Sequence, residues 1–397
     1  MQPKNGRLVA VVAAVAVAAI AGGGTAAYRQ SPQVAEAAEA APLSSTPSPP
    51  PSASGPTGTP TATPMPSSSP APSKTPVTTP TRTPTRSGPV KTNVDLKKLA
   101  PGRAPQIAYL SGRTVRGGAG PNLEIPGSQQ IQQVARLRQS ALAVVSAGDN
   151  STEMLTIDRD GKVVGKTPDV SQVVTTEDGM AAAYLTSLVS DQGEQSPGTT
   201  LYVAEQEVRK VTVPDVWNAT LLGYVNGKVY FQASDKEASG TWTLYEWTPG
   251  AKVTPIKSVP KPTAVSPDGT TAASLTTLTD YNSCTSILEI ATGKRLWRTC
   301  DYQIDGFTHD GTTAIGGPFY RDGYGDGLAA ALDVKTGTLL HEWSGVFRQA
   351  VAEDDQHLLL LADTGEETPA SIIRCTISTG ACELATPLAK GTLLIGS

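Results

Sequence analysis

Leu288-Glu289-Ile290-Ala291-Thr292-Gly293-Lys294-Arg295-Leu296-Trp297 reads as two short strands hinged on a glycine turn, and the chain repeats it. The arrangement returns at Leu332-Asp333-Val334-Lys335-Thr336-Gly337-Thr338-Leu339-Leu340. Fainter copies run from Leu155 to Val164 around Gly161, from Leu244 to Val253 around Gly250 and from Ile373 to Leu384 around Gly380. The turn positions are Gly120, Gly161, Glu207, Gly250, Gly293, Gly337 and Gly380, spaced 41, 46, 43, 43, 44 and 43 residues apart. So regular a spacing marks one supersecondary unit repeated, each copy covering a face its neighbour cannot bury alone.

A second turn precedes most of these: Asp178-Gly179, Asn226-Gly227, Asp268-Gly269, Asp310-Gly311 and the degenerate Asp354-Asp355. Such pairs suit hairpins, because both residues tolerate positive φ. Apolar strands follow, such as Ala181 to Leu185, Val229 to Phe231 and Leu358 to Leu361. Each unit thus holds about four antiparallel strands. The expected fold is all-β: a seven-bladed β-propeller of four-stranded antiparallel blades over residues 104–397. The first unit has material for three strands, and Thr392-Leu393-Leu394-Ile395 is expected to supply its fourth and close the ring.

Ser266-Pro267-Asp268-Gly269-Thr270 resembles the turn of TolB-type and WD40-like bacterial propellers, and Leu288 to Trp297 is similar to the repeat of the quinoprotein-like superfamily. The resemblance spans roughly residues 106–397 and implies fold rather than activity. Quinoprotein dehydrogenases bind quinone and calcium near the axis of a ring that is usually eight-bladed. Here one repeat matches closely and the ring is a blade short.

Ahead of the repeats, Lys4 and Arg7 precede an uncharged run from Leu8 to Tyr28, the order of charge and apolar core read by secretion machinery. Residues 1–7 are expected to form a short cytoplasmic tail and 8–28 a hydrophobic helix, either a membrane anchor or a cleaved signal peptide. From Ala41 to Pro89 there are 15 prolines in 49 residues. Such a stretch has too little to bury to offset the entropy of ordering, so residues 29–103 are expected to be a disordered Pro/Ser/Thr-rich stalk. The domain would then stand outside the cell membrane on a single pass, or be secreted if the signal is removed.

The formal charge of −4 conceals an asymmetry. Residues 1–103 carry ten Lys/Arg against three Asp/Glu, leaving 22 against 33, or −11, for the rest. A domain that acidic, with no basic stripe after Arg138, is a poor partner for nucleic acid.

Cys284 and Cys300 flank the Gly293 turn, and Cys375 and Cys382 flank the turn at 378–380, so the pairs Cys284–Cys300 and Cys375–Cys382 are expected as disulfides of an oxidising compartment. The competing zinc reading lacks a Cys-x-x-Cys, and His309, His341 and His357 show no ligand spacing. Asp322 and Asp326, in a loop from Tyr320 to Gly327, offer oxygens to calcium, but the loop matches an EF-type pattern poorly and reads first as a Gly-rich connection. Gly117-Gly118-Ala119-Gly120 resembles a phosphate cradle in composition alone, since no helix follows it. Five tryptophans, Trp217, Trp242, Trp247, Trp297 and Trp343, are expected to pack between blades.

No positioned nucleophile stands out, so neither catalytic residues nor a cofactor is expected. The functional expectation is a monomeric, non-enzymatic scaffold of the cell envelope that binds a protein or glycan. The alternatives are a small-ligand sensor and a quinoprotein-like dehydrogenase.

Overall fold

A computed structural model describes residues 90–148, 151–189, 195–279, 282–319, 326–363 and 369–396. The apolar run 8–28 and the stalk up to Pro89 lie outside these residues. No helix among the described residues is long and apolar enough to cross a membrane.

The described chain is all-β apart from one turn of 3-10 helix, Leu96–Lys98. Five four-stranded antiparallel sheets are separate, and the remaining strands form one longer path. That path is unbroken because Leu339–Ala352, 14 residues long, pairs first with Asp326–Asp333 and then with His357–Asp363. Divided within that strand, the path gives two further units of four strands.

We number the units along the chain. Unit 1 comprises Leu393–Ile395, Tyr109–Ser111, Thr114–Arg116 and Leu123–Glu124, so the C-terminal strand does complete the N-terminal sheet, with Ile395 opposite Tyr109 and Leu393 opposite Ser111. Units 2 to 5 run from Ile131 to Pro168, Val170 to Val213, Trp217 to Pro260 and Pro262 to Thr299. Unit 6 starts at Tyr302 and unit 7 ends at Leu384. Every turn in the period near 43 lies between the third and fourth strands of its unit. Five of its glycines, at 161, 250, 293, 337 and 380, have φ between 70° and 92°, where a side chain would be strained.

The core is divided among the junctions. Leu110 and Val115 of unit 1 pack with Val134 and Ala143 of unit 2. Val144 and Met154 meet Val173 and Ala182, and Leu185 and Val203 meet Phe231 and Trp247. Tyr230 and Leu244 meet Ala272 and Leu288, and Ala273 and Ile287 meet Ile304 and Leu332. Ile315 and Trp343 meet Leu358 and Ile373. Last, Leu359 and Ile372 of unit 7 meet Tyr109 and Ile395 of unit 1. The period of two in a strand makes this work: Leu358 and Leu360 face one junction while Leu359 and Leu361 face the other. Each leucine so buried contributes about 1.5–3 kcal/mol.

First strands of successive units are also stitched by side chains. The Gln133 side-chain oxygen accepts from the Val173 amide at 3.1 Å, that of Gln172 from Leu221 at 2.7 Å and that of Gln349 from Ile395 at 2.9 Å. Thr263 donates to the Ile304 carbonyl at 2.6 Å. Backbone groups left without a strand partner at the sheet edge are satisfied in this way.

One boundary moves. The segment 91–103, assigned by its polarity to the stalk, is part of the folded unit. Lys91–Asn93 pairs in parallel with Glu342–Ser344, and Pro101 bridges to Leu384. Val94, Leu96 and Leu99 enter the junction between units 6 and 7. This strap lies along the outer strands of both units before the chain enters unit 1.

Candidate functional site

In an antiparallel sheet the turns after the first and third strands share one end, here termed the turn face. Three of its first turns are built alike, on Thr176-x-Asp178-Gly179, Ser266-x-Asp268-Gly269 and Thr308-x-Asp310-Gly311. In each, the aspartate accepts a hydrogen bond from the preceding hydroxyl and from the amide two residues on: Met180, Thr270 and Thr312, all at 3.0 Å. The Thr176 hydroxyl and the Met180 amide hold the Asp178 carboxyl below the ordinary carboxylate value. At Asp268 and Asp310 partial burial works the other way, but the combined hydrogen bonds outweigh it and these carboxyls are lowered too.

The turns also meet one another. The Arg138 amide donates to the Gly179 carbonyl at 2.7 Å, and the Asp310 amide donates to Asp355 at 2.8 Å. His309 of unit 6 lies 3.1 Å from Glu177 of unit 3, joining turns from sheets that are not neighbours.

A charged latch sits where unit 7 meets unit 1. Arg374, on the third strand of unit 7, donates through Nε and Nη2 to both carboxylate oxygens of Glu353. Its remaining donors reach Glu383 at 2.7 Å, the carbonyl of Arg103 at the end of the strap at 2.9 Å and that of Ala104 just beyond it at 3.0 Å. Glu353 accepts in addition from the Gln106 amide at 2.7 Å. Glu353 raises the Arg374 pKa above its ordinary value, ahead of the opposing effect of burial. A cleft of about 270 Å³ beside it is lined by Arg103, His357, Arg374, Cys382 and Glu383 among others. With its guanidinium so fully engaged, Arg374 is a fastening.

The Gly117–Gly120 loop has a polarity opposite to that of an anion cradle. Arg136 is buried beneath it and donates to the carbonyls of Val115, Gly117 and Pro121, while Gln139 donates to that of Ala119 at 2.9 Å. Carbonyl oxygens converge on a fixed cation.

Of the tryptophans, Trp247 and Trp343 are fully buried. The Trp297 indole donates to the Val334 carbonyl of the next unit at 2.6 Å, and Trp343 to that of Gly380 at 3.0 Å, so both tie successive units. Trp217 and Trp242 are half-buried on either side of Ser234. The His341 ring lies tilted against Trp343, with centroids 4.9 Å apart, and is bonded to the Thr92 hydroxyl at 2.8 Å, and His357 contacts Asp354 at 2.8 Å.

The four cysteines are joined as Cys284–Cys300 and Cys375–Cys382. Asp322 lies outside the described residues. Asp326 opens a described strand, but its side chain does not belong to the described set. Among the described residues no three His, Cys, Asp or Glu side chains are grouped to hold a metal. The strap, the Arg374 latch and the Arg136 cage were not anticipated from sequence. Arg374 left one trace, a charge within the apolar strand Ile372-Ile373-Arg374-Cys375.

No protein-family model and no curated protein matches the chain. Among solved structures it is similar to an uncharacterized protein of Listeria monocytogenes, at 11% identity over 69% of this chain and 92% of that one, with a TM-score of 0.46. It is also similar to the β-propeller domain of the Trilobed protease of Pyrococcus furiosus, at 11% identity, 66% and 84% coverage and a TM-score of 0.45. Prolyl oligopeptidase B of Galerina marginata matches at 10% identity with a TM-score of 0.46, and there the chain spans 43% of the longer protein.

Proposed function

We propose that the chain is a membrane-tethered, extracytoplasmic seven-bladed β-propeller, acting as a non-enzymatic scaffold that holds a protein or glycan of the cell envelope. The observation that carries the reading is the set of junction cores, each shared by two successive units and the last joining unit 7 to unit 1. A rigid ring of sheets offers two faces of loops for a partner. The conspicuous charges support binding over chemistry, because Arg374, Arg136 and the turn aspartates serve the fold itself. Two disulfides accord with an oxidising compartment outside the cytoplasm. Tethering rests on the sequence of residues 4–28.

Crosslinking in intact cells that express the full chain, followed by its purification, is the test. A reproducible envelope protein or glycan attached to residues of the 104–397 region supports the scaffold. A bound quinone chromophore, or dye-linked oxidation of alcohols or sugars by the purified chain, would overturn it.

A further inference from the structure

We propose that Cys375–Cys382 is a site of thiol–disulfide exchange, a reducible clasp that decides whether the N-terminal strap stays seated. The two cysteines stand directly opposite each other on the third and fourth strands of unit 7. The fourth strand, Cys382–Leu384, is three residues long, so the bridge fixes a large part of its hold on the sheet.

Three lines of contact run from this short strand to the strap. Leu384 donates its amide to the Ala100 carbonyl at 2.9 Å and accepts from the Gly102 amide at 2.8 Å. Glu383 bonds Arg374, whose other donors hold the carbonyls of Arg103 and Ala104. The turn closed by the bridge places Gly380 against His341 and Trp343, and His341 bonds Thr92 of the strap. Cys375 and Cys382 also share an apolar cluster with Val94, Leu96 and Leu99, so the strap packs against the cluster that contains the disulfide.

The geometry gives the exchange a direction. Cys375 is fully buried, whereas Cys382 is half-buried and lines the cleft of about 270 Å³. A thiolate of an external dithiol entering there attacks the Cys382 sulfur, and the S–S electron pair departs with Cys375, which takes up a proton. The second thiol of the same dithiol then attacks the mixed disulfide and frees Cys382 as a thiol. Two electrons and two protons pass to the protein, and the dithiol leaves as a disulfide. Cys284–Cys300 fastens unit 5 and also pairs a buried with a half-buried cysteine. Among the described residues, however, it is the strands of units 6 and 7 that pair with the strap, so opening the unit 5 bridge leaves the strap's contacts in place.

The test is a titration of the folded full chain with dithiothreitol, trapping free thiols by alkylation and assigning them by mass spectrometry. Cys375 and Cys382 should become alkylated at a concentration about tenfold below that required for Cys284 and Cys300. Over the same range, tryptic cleavage after Lys97 and Lys98 should accelerate about tenfold. A paired Cys375→Ser and Cys382→Ser variant should show the fast cleavage without reductant, and a Cys284→Ser and Cys300→Ser variant should not. Simultaneous opening of both bridges would overturn the proposal, as would selective opening that leaves cleavage at Lys97 and Lys98 unchanged. Both of these readouts are made on the wild-type chain, so they decide the matter even where a serine variant fails to fold.

Discussion

Arg374 and Glu353 face each other as a bidentate ion pair, with side-chain exposures of 3% and 0%. Removing one partner strands the other charge in the interior, which costs about 3–5 kcal/mol, far above the value of a surface pair. Arg374→Ala should therefore lower stability in urea by about that amount. The double variant Arg374→Met with Glu353→Leu should recover part of the loss. A single variant as stable as the wild type would contradict the latch.

Gly161 and Gly380 both have positive φ, 80° and 73°, but they differ in surroundings. A Cβ at Gly161 meets nothing within 4 Å, whereas one at Gly380 falls 1.9 Å from His341 Nε2. Gly161→Ala should cost about 1–2 kcal/mol from backbone strain alone. Gly380→Ala should cost about 3 kcal/mol or more once overpacking is added. Urea midpoints at constant slope distinguish the two.

Deleting residues 392–397 removes the strand paired with Tyr109–Ser111 and takes Ile395 out of the junction between units 7 and 1. With roughly 4 kcal/mol lost from the burial of Ile395 and Leu394, the melting temperature of a folded unit this large should fall by about 6 °C. Calorimetry showing an unchanged transition would reject closure by this strand.

Asp178, Asp268 and Asp310 have folded-state pKa values below the ordinary 3.8. Their contribution is thus fully present above that value and is lost as pH falls through the lowered ones. The triple Asn variant should be less stable at neutral pH and lose less stability between about pH 4 and pH 2. Parallel acid limbs for the two proteins would count against the turn hydrogen bonds.

Repetition made the architecture legible. Turn glycines recur because a tight hairpin requires positive φ, and Leu393 to Ile395 stood out as apolar residues beyond the last repeat. The disulfide pairs followed from their placement about hairpins. The strap was not legible: Lys91–Asn93 is polar, and its partners Glu342–Ser344 lie far along the chain, so neither periodicity nor hydrophobicity announces it. Arg136 looks like any strand charge until the carbonyls of the Gly117–Pro121 loop are seen around it.

Apolar interior in this domain is held jointly, half by one sheet and half by its successor. Excising any sheet would leave both flanks wetted, so a partly assembled intermediate exposes oil on two sides at once. Such a body should melt in a single step, and ancestry can lengthen or shorten it only by whole members, with every remaining neighbour re-angled to suit.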